Sequence, residues 1–188
     1  ILMIDLTNLE YEEIERFVTE TLNEPKFRAK QIFGWIYGGL AKDGSFRSGV
    51  QSFDEMNNLP KTLREKLTAQ AFLTSLDVLR TQVSKLDGTR KFLFRLADGN
   101  AIESVFMRYK FGNSICVSSQ AGCRMGCRFC ASTIGGLKRN LTPGEIAGQI
   151  LAAQRETGQR ISHVVVMGTG EPFDNYENLA KFLHIIHD

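Results

Sequence analysis

A chain of 188 residues can bury one good core, or one core plus a small accessory module, and its 43% apolar and 23% charged content excludes a disordered tail or a fibrous repeat. No apolar run approaches bilayer-spanning length, and the start Ile1-Leu2-Met3-Ile4-Asp5 lacks a basic segment followed by a long apolar one, so the expectation is a cytoplasmic protein without a membrane. The net charge of +2 says little by itself, but four cysteines, three of them in one short loop, fit a reducing compartment better than a disulfide framework.

Thr7-Asn8-Leu9-Glu10 has the form of a capping box, and Tyr11, Ile14, Phe17, Val18 and Leu22 follow at helical spacing. Asn23-Glu24-Pro25 ends that helix and Pro25 opens the next, which carries Phe27, Ile32, Phe33, Ile36 and Tyr37 and stops at Gly38-Gly39. Lys26, Arg28 and Lys30 lie on its first turns, where cations oppose the helix dipole; they read as solvated side chains or as RNA contacts. Residues 41–50 read as a loop, Ser52-Phe53-Asp54-Glu55 opens a short helix that ends before Pro60, and 61–71 is a helix with Leu63, Leu67 and Phe72 facing a core. Residues 1–72 therefore form a small all-helical domain, a candidate for RNA contact.

The period then changes from helical to alternating. Strands are expected over 76–84, 91–96 and 101–109, joined by turns at Asp87-Gly88 and Asp98-Gly99. In the third, Ile102, Ser104 and Phe106 share one face and Glu103, Val105 and Met107 the other. Residues 73–110 thus form an antiparallel meander linking to the core. From 111 to 188 the order is strand (114–119), cysteine loop closed by Gly135-Gly136, helix, strand (163–167), glycine-rich turn, helix (176–187). The first helix opens with the capping box Thr142-Pro143-Gly144-Glu145, carries Ile146, Ile150, Leu151 and Gln154, and stops at Gly158. His163-Val164-Val165-Val166-Met167 reads as a strand buried on both faces, and Leu179, Phe182, Leu183 and Ile186 as the inward stripe of the last helix. This order opens a parallel α/β barrel, whose sites lie at the C-terminal ends of its strands.

Cys123, Cys127 and Cys130 stand at C-x-x-x-C-x-x-C spacing, close enough for one loop to bring three sulfurs around a single inorganic centre. Thiolates suit zinc or iron–sulfur clusters. A closed zinc site wants four ligands, and His163, His184 and His187 do not follow at finger spacing. A cubane held by three cysteines leaves one iron open to an outside ligand. The competing readings are free thiols, or a zinc knuckle completed by Cys116. Between Glu103 and Glu145 every charged residue is basic (Arg108, Lys110, Arg124, Arg128, Lys138, Arg139), a stretch that attracts phosphate or is simply solvated. In Gly168-Thr169-Gly170-Glu171-Pro172, glycine lets a ligand approach the backbone and a carboxylate can hold an ammonium group; the plainer reading of Glu171 is a solvated acid or a helix cap. Cys116 is a small core residue or a reactive thiol, and Glu103 an ordinary strand residue or a proton acceptor.

The cysteine loop, with Phe129 before its last cysteine, resembles the signature of the radical S-adenosylmethionine (radical-SAM) superfamily. The resemblance implies one 4Fe–4S cluster on Cys123, Cys127 and Cys130, and SAM bound to the open iron through its amino and carboxylate groups and cleaved to a 5′-deoxyadenosyl radical. Gly170 and Glu171 match the pair that holds the SAM amino group. Four blocks in order (101–105, 116–123, 137–142, 167–176), with Phe27-Arg28-Ala29-Lys30-Gln31-Ile32 upstream, resemble the RlmN/Cfr family of radical-SAM RNA methyltransferases, and 170–176 is more similar to its RlmN branch. Thr169 departs from the methionine common there. The resemblance implies the first two β-α units of a partial radical-SAM barrel. It implies methylation of carbon 2 of an adenine in 23S ribosomal RNA, and in transfer RNA, through a methyl-cysteine and a covalent protein–RNA intermediate. Glu103 matches the proton acceptor and Cys116 the cysteine that resolves the intermediate as a disulfide. An electron donor such as flavodoxin or ferredoxin, and a monomer when full length, also follow. The chain stops at Asp188, before the methyl-carrying cysteine and the C-terminal half of the barrel, so the fragment is expected to be inactive alone and to expose apolar edges. The alternatives are carbon-8 methylation of the Cfr type, and a zinc-containing RNA-binding module without redox chemistry.

Overall fold

The computed structural model describes residues 3–41 and 43–187; the expectations placed on Ile1-Leu2 and Asp188 lie outside them. In chain order its elements are β1 (Ile4–Asp5), α1 (Tyr11–Arg16), α2 (Phe27–Tyr37), β2 (Gly39–Leu40), β3 (Phe46–Arg47), α3 (Lys61–Gln70), β4 (Ala71–Phe72), β5 (Asp77–Val83), β6 (Arg90–Arg95), β7 (Ala101–Tyr109), β8 (Gly112–Cys116), β9 (Gln120–Gly122), β10 (Leu137–Asn140), α4 (Pro143–Thr157), β11 (His163–Val165) and α5 (Tyr176–His187). No helix among the described residues is long and apolar enough to cross a membrane.

Two cores organise the chain. The first is helical, with Ile14, Val18, Ile32, Ile36, Leu63 and Leu67 fully buried. Asp5 closes this module on itself: its carboxylate accepts from Thr7 and Asn8 at the start and from Thr74 beyond its end, while β1 pairs in parallel with β4. Four local expectations need correction. The cap of α1 is Glu10, whose backbone N–H donates to Glu13, whereas Thr7 is buried in the preceding turn. Past Arg16 the helix widens into a π-type turn over Phe17–Thr21. The stretch read as a loop contains the β2–β3 hairpin. Phe72 points outward and Ala71 inward, because α3 ends at Gln70 and strand alternation governs β4.

The second core lies under a five-stranded sheet ordered β5-β6-β7-β8-β11. Neighbours are antiparallel up to β8, and β11 then runs parallel to β8. The meander and the first barrel strands are thus one sheet. Phe92, Phe94, Ile102, Phe106, Ile115 and Val117 are buried on one face in a common core with Ile146, Ala147, Ala152 and Ala153 of α4. The α4 helix has the expected capping box, Thr142 with Glu145, and ends at Gly158 in the left-handed region. β11 is not buried on both faces. It forms the sheet edge and leaves Val165 and Met167 exposed. On α5 the inward stripe is Leu179, Phe182 and Ile185, while Leu183 and Ile186 face out. Lys181 and His184 on α5 reach Glu13 and Glu10 of the helical module.

Candidate active site

Because β8 and β11 run parallel, the segments that follow them emerge at the same edge of the sheet. There the two loops dock. The Thr169 N–H donates to Ser118 Oγ at 2.6 Å, the Ser119 N–H to the Thr169 carbonyl at 2.9 Å, and the Glu171 N–H to Gln120 Oε1 at 2.9 Å. The Gly168–Thr169 peptide is cis. Gly170 has φ of 106°, and a Cβ there would lie 2.6 Å from Gln120 Cβ and 2.8 Å from its backbone nitrogen, so only glycine lets the loops approach this closely. Glu171 Oε1 accepts from the Phe173 N–H at 3.1 Å, which makes Glu171 the cap of the turn Pro172–Asn175.

The cysteine loop is held at its base by β9 and β10, an antiparallel pair that the sequence reading missed. Gly122, at φ of 76°, closes the base, since a Cβ there would meet the Gly136 carbonyl at 2.0 Å. Side-chain ties that the sequence reading did not anticipate lock this base to the segment after the Gly168–Glu171 loop. Gln120, fully buried, donates to Asn140 and Asp174 at 2.8 Å each. Asp174 also binds Arg124 of the cysteine loop, and Arg124 together with Gln120 holds the Asp174 carboxyl below the usual carboxylate range. Asn175 donates to the Ser119 and Leu141 carbonyls at 2.8 Å. Arg139 is bidentate to Glu145 and also pairs with Asp98. Two of the six cations expected to form a basic stretch are thereby bound to acids. Arg108, Lys110, Arg128 and Lys138 pair with no acid among the described residues.

All four cysteines are free thiols, so the expected disulfide has no support among the described residues. Cys123 is buried, Cys130 half-buried and Cys127 exposed, and no three His, Cys, Asp or Glu side chains among the described residues converge closely enough to hold a metal ion. Residues 124–129 are exposed, while Cys123 at the base of the loop is buried. The donor chemistry still fits a cluster: three unpaired thiols lie within eight residues, and hydrogen bonds from Ser132 lower the Cys130 thiol towards the thiolate that binds metal.

Glu103 and Cys116 sit on neighbouring strands. Val105 opposes Cys116, so Glu103 is a diagonal neighbour on the same face, at about 7–8 Å in such a ladder. This is the face that α4 leaves uncovered. Glu103 pairs with Lys91 at 2.7 Å, its carbonyl accepts from Ser118 Oγ at 2.7 Å, and Cys116 Sγ lies 4.0 Å from the Gly168 carbonyl oxygen. Cys116 thus touches the loop that carries Gly170 and Glu171.

Residues 4–73 match the family model "Ribosomal RNA large subunit methyltransferase N-terminal domain", and 117–188 match "Radical SAM superfamily". Curated relatives include proteins of Desulforamulus reducens (53% identical over 184 residues; 98% of this chain, 50% of the relative) and Clostridium novyi (51% over 186; 99% and 51%), each named "Probable dual-specificity RNA methyltransferase RlmN". A crystal structure of a radical SAM methyltransferase from Sphaerobacter thermophilus superposes with a TM-score of 0.84 at 42% identity, covering 98% of this chain and 52% of that one. The chain spans about half the length of the curated relatives it matches.

Proposed function

Because the chain belongs to the RlmN/Cfr family of radical-SAM RNA methyltransferases, we propose that it supplies the cluster-binding half of an enzyme that methylates carbon 2 of an adenine in 23S ribosomal RNA and in transfer RNA. The observation that carries this reading is the docking of the Gly168–Glu171 loop on Ser118–Gln120, directly beside the cysteine loop and above the face shared by Glu103 and Cys116. Radical-SAM proteins use a 4Fe–4S cluster and SAM, which supply one-electron chemistry able to functionalise an aromatic ring carbon.

Cys123, Cys127 and Cys130 would hold the cluster as thiolates. The Gly170 backbone and the Glu171 carboxylate would hold the SAM ammonium; Glu171 Oε1 already accepts from the Phe173 N–H. Glu103, tethered by Lys91, would take the ring proton, and Cys116, on the same face, would be the thiol that releases the product from a covalent adduct. The methyl-carrying cysteine is none of these four. Residues 1–72 serve as an RNA-contacting domain, 73–110 as the link and 111–188 as the start of the barrel. The full-length enzyme works as a cytoplasmic monomer with a flavodoxin- or ferredoxin-type reductant.

The test is Cys116→Ala in the full-length protein. The cluster should load normally while a covalent protein–RNA species accumulates on denaturing gels. Clean turnover would remove the role given to Cys116. Chromatography of the product nucleoside against 2-methyl- and 8-methyladenosine standards separates carbon 2 from carbon 8, which give products of equal mass.

A further inference from the structure

One buried amide holds both ends of the turn that begins at Glu171. Gln120 is fully buried on β9. Its Oε1 accepts from the Glu171 N–H at 2.9 Å, and its Nε2 donates to Asp174 Oδ2 at 2.8 Å. The same nitrogen donates to Asn140 Oδ1 on β10 at 2.8 Å. The orientation is forced: turned over, the amide would set its NH2 group against the Glu171 N–H and its oxygen against the Asp174 carboxylate. Between these two points the turn closes on itself, with the Asp174 N–H donating to the Glu171 carbonyl at 3.1 Å and the Phe173 N–H to Glu171 Oε1 at 3.1 Å. The other Asp174 oxygen, Oδ1, is held by Arg124, the residue next to Cys123.

A carboxylate that meets a ligand's ammonium group has to be held still, because a displacement of about 1 Å can cost much of the interaction. The Glu171 carboxylate pairs with no cation among the described residues, so its own backbone and the turn it caps are what fix it. Gln120 ties that backbone to the β9–β10 pair at the base of the cysteine loop. A buried amide with all its partners in place defines one arrangement, since any partner it releases is left unsatisfied.

We propose that Gln120 is a positioning residue for the cofactor: it sets the Glu171 carboxylate relative to the cysteine loop so that one SAM molecule can meet both, and the Arg124–Asp174 pair supports it from the cluster side. The proposal rests on the function proposed above and adds to it residues that act through Glu171.

The test uses full-length protein reconstituted with iron and sulfide, and equilibrium dialysis with labelled SAM, with affinities compared at equal iron content. Gln120→Asn keeps the amide but is too short to reach both ends of the turn, and Gln120→Met keeps the length but has no amide. Each should weaken SAM binding about tenfold. Glu171→Gln, which keeps the cap and removes the charge, should weaken it too, and adding Gln120→Asn to Glu171→Gln should weaken it no further. Arg124→Ala should weaken binding about threefold, and Arg124→Lys should recover most of that. Wild-type affinity in either Gln120 variant overturns the proposal. So does a loss that adds in full to that of Glu171→Gln, which is what a purely structural tie predicts. Should neither Gln120 variant fold, Arg124→Ala decides, since that side chain is 64% exposed: weaker binding that disappears in the Glu171→Gln background supports the positioning role, and unchanged affinity overturns it. If Glu171→Gln binds SAM as the wild type does, the role given to Glu171 in the proposed function falls, and the positioning role with it. If Glu171→Gln weakens binding and the Gln120 variants do not, the positioning role falls alone.

Discussion

Gly170 is the residue with least room for change. Its φ of 106° lies where side chains are strained, and a Cβ would strike both the backbone and the side chain of Gln120. Strain of this kind costs roughly 1–3 kcal/mol, so Gly170→Ala in the full-length protein should weaken SAM binding by about tenfold or more. Equilibrium dialysis with labelled SAM measures this, and unchanged affinity would show that the loop does not hold the cofactor. At this scale residue type alone suggested a chemistry, for the three clustered cysteines and for the Gly170-Glu171 pair. It was silent on the ties among Gln120, Arg124 and Asp174. Their partners lie up to 54 residues away, and a hydrogen bond across that gap leaves no periodic trace. The closeness of Glu103 and Cys116 was equally hidden, because it follows from strand register and not from spacing.

Among the elements, α4 does most to position the site, and Gln149 is its connection to the sheet. Fully buried, its Oε1 accepts from Ser104 Oγ and the Ser118 N–H, and its Nε2 donates to the Ser118 carbonyl at 2.9 Å. One amide thus fixes β7 and the exit of β8 against the helix. Gln149→Leu leaves buried groups unpaired and should cost roughly 3 kcal/mol of stability. Denaturant unfolding tests this; a loss under about 0.5 kcal/mol would place the constraint elsewhere. Elements with strong local signals were legible: β7 from its alternation, α4 from its capping box and terminal glycine, α5 from its period. The β2–β3 and β9–β10 pairs were not, since strands of two to four residues carry too few side chains to show alternation. β11 is the edge strand of a chain that spans about half the length of its relatives, and there its apolar run leaves Val165 exposed.

Across the whole molecule, arginine–carboxylate ties hold separate segments together. Arg139 joins the β6–β7 turn, through Asp98, to Glu145 at the start of α4, and Arg124 joins the cysteine loop to Asp174. Both aspartates titrate below the ordinary carboxylate value, chiefly through hydrogen bonds from these arginines. A carboxylate depressed in the folded state contributes stability above its unfolded pKa, about 4, and loses it as pH falls below that value. The melting temperature of Asp98→Asn should therefore trail the wild type at neutral pH and approach it below about pH 4. A gap that stays constant down to pH 3 would rule out this linkage. The ties also bear on the cofactor, because they anchor the base of the loop whose exposed tip carries Cys127. The most direct measurement is anaerobic reconstitution with iron and sulfide. The account expects a brown protein with about four irons and four sulfides per chain, lost on replacing Cys123, Cys127 or Cys130 with alanine. A colourless protein holding one tightly bound zinc would contradict it.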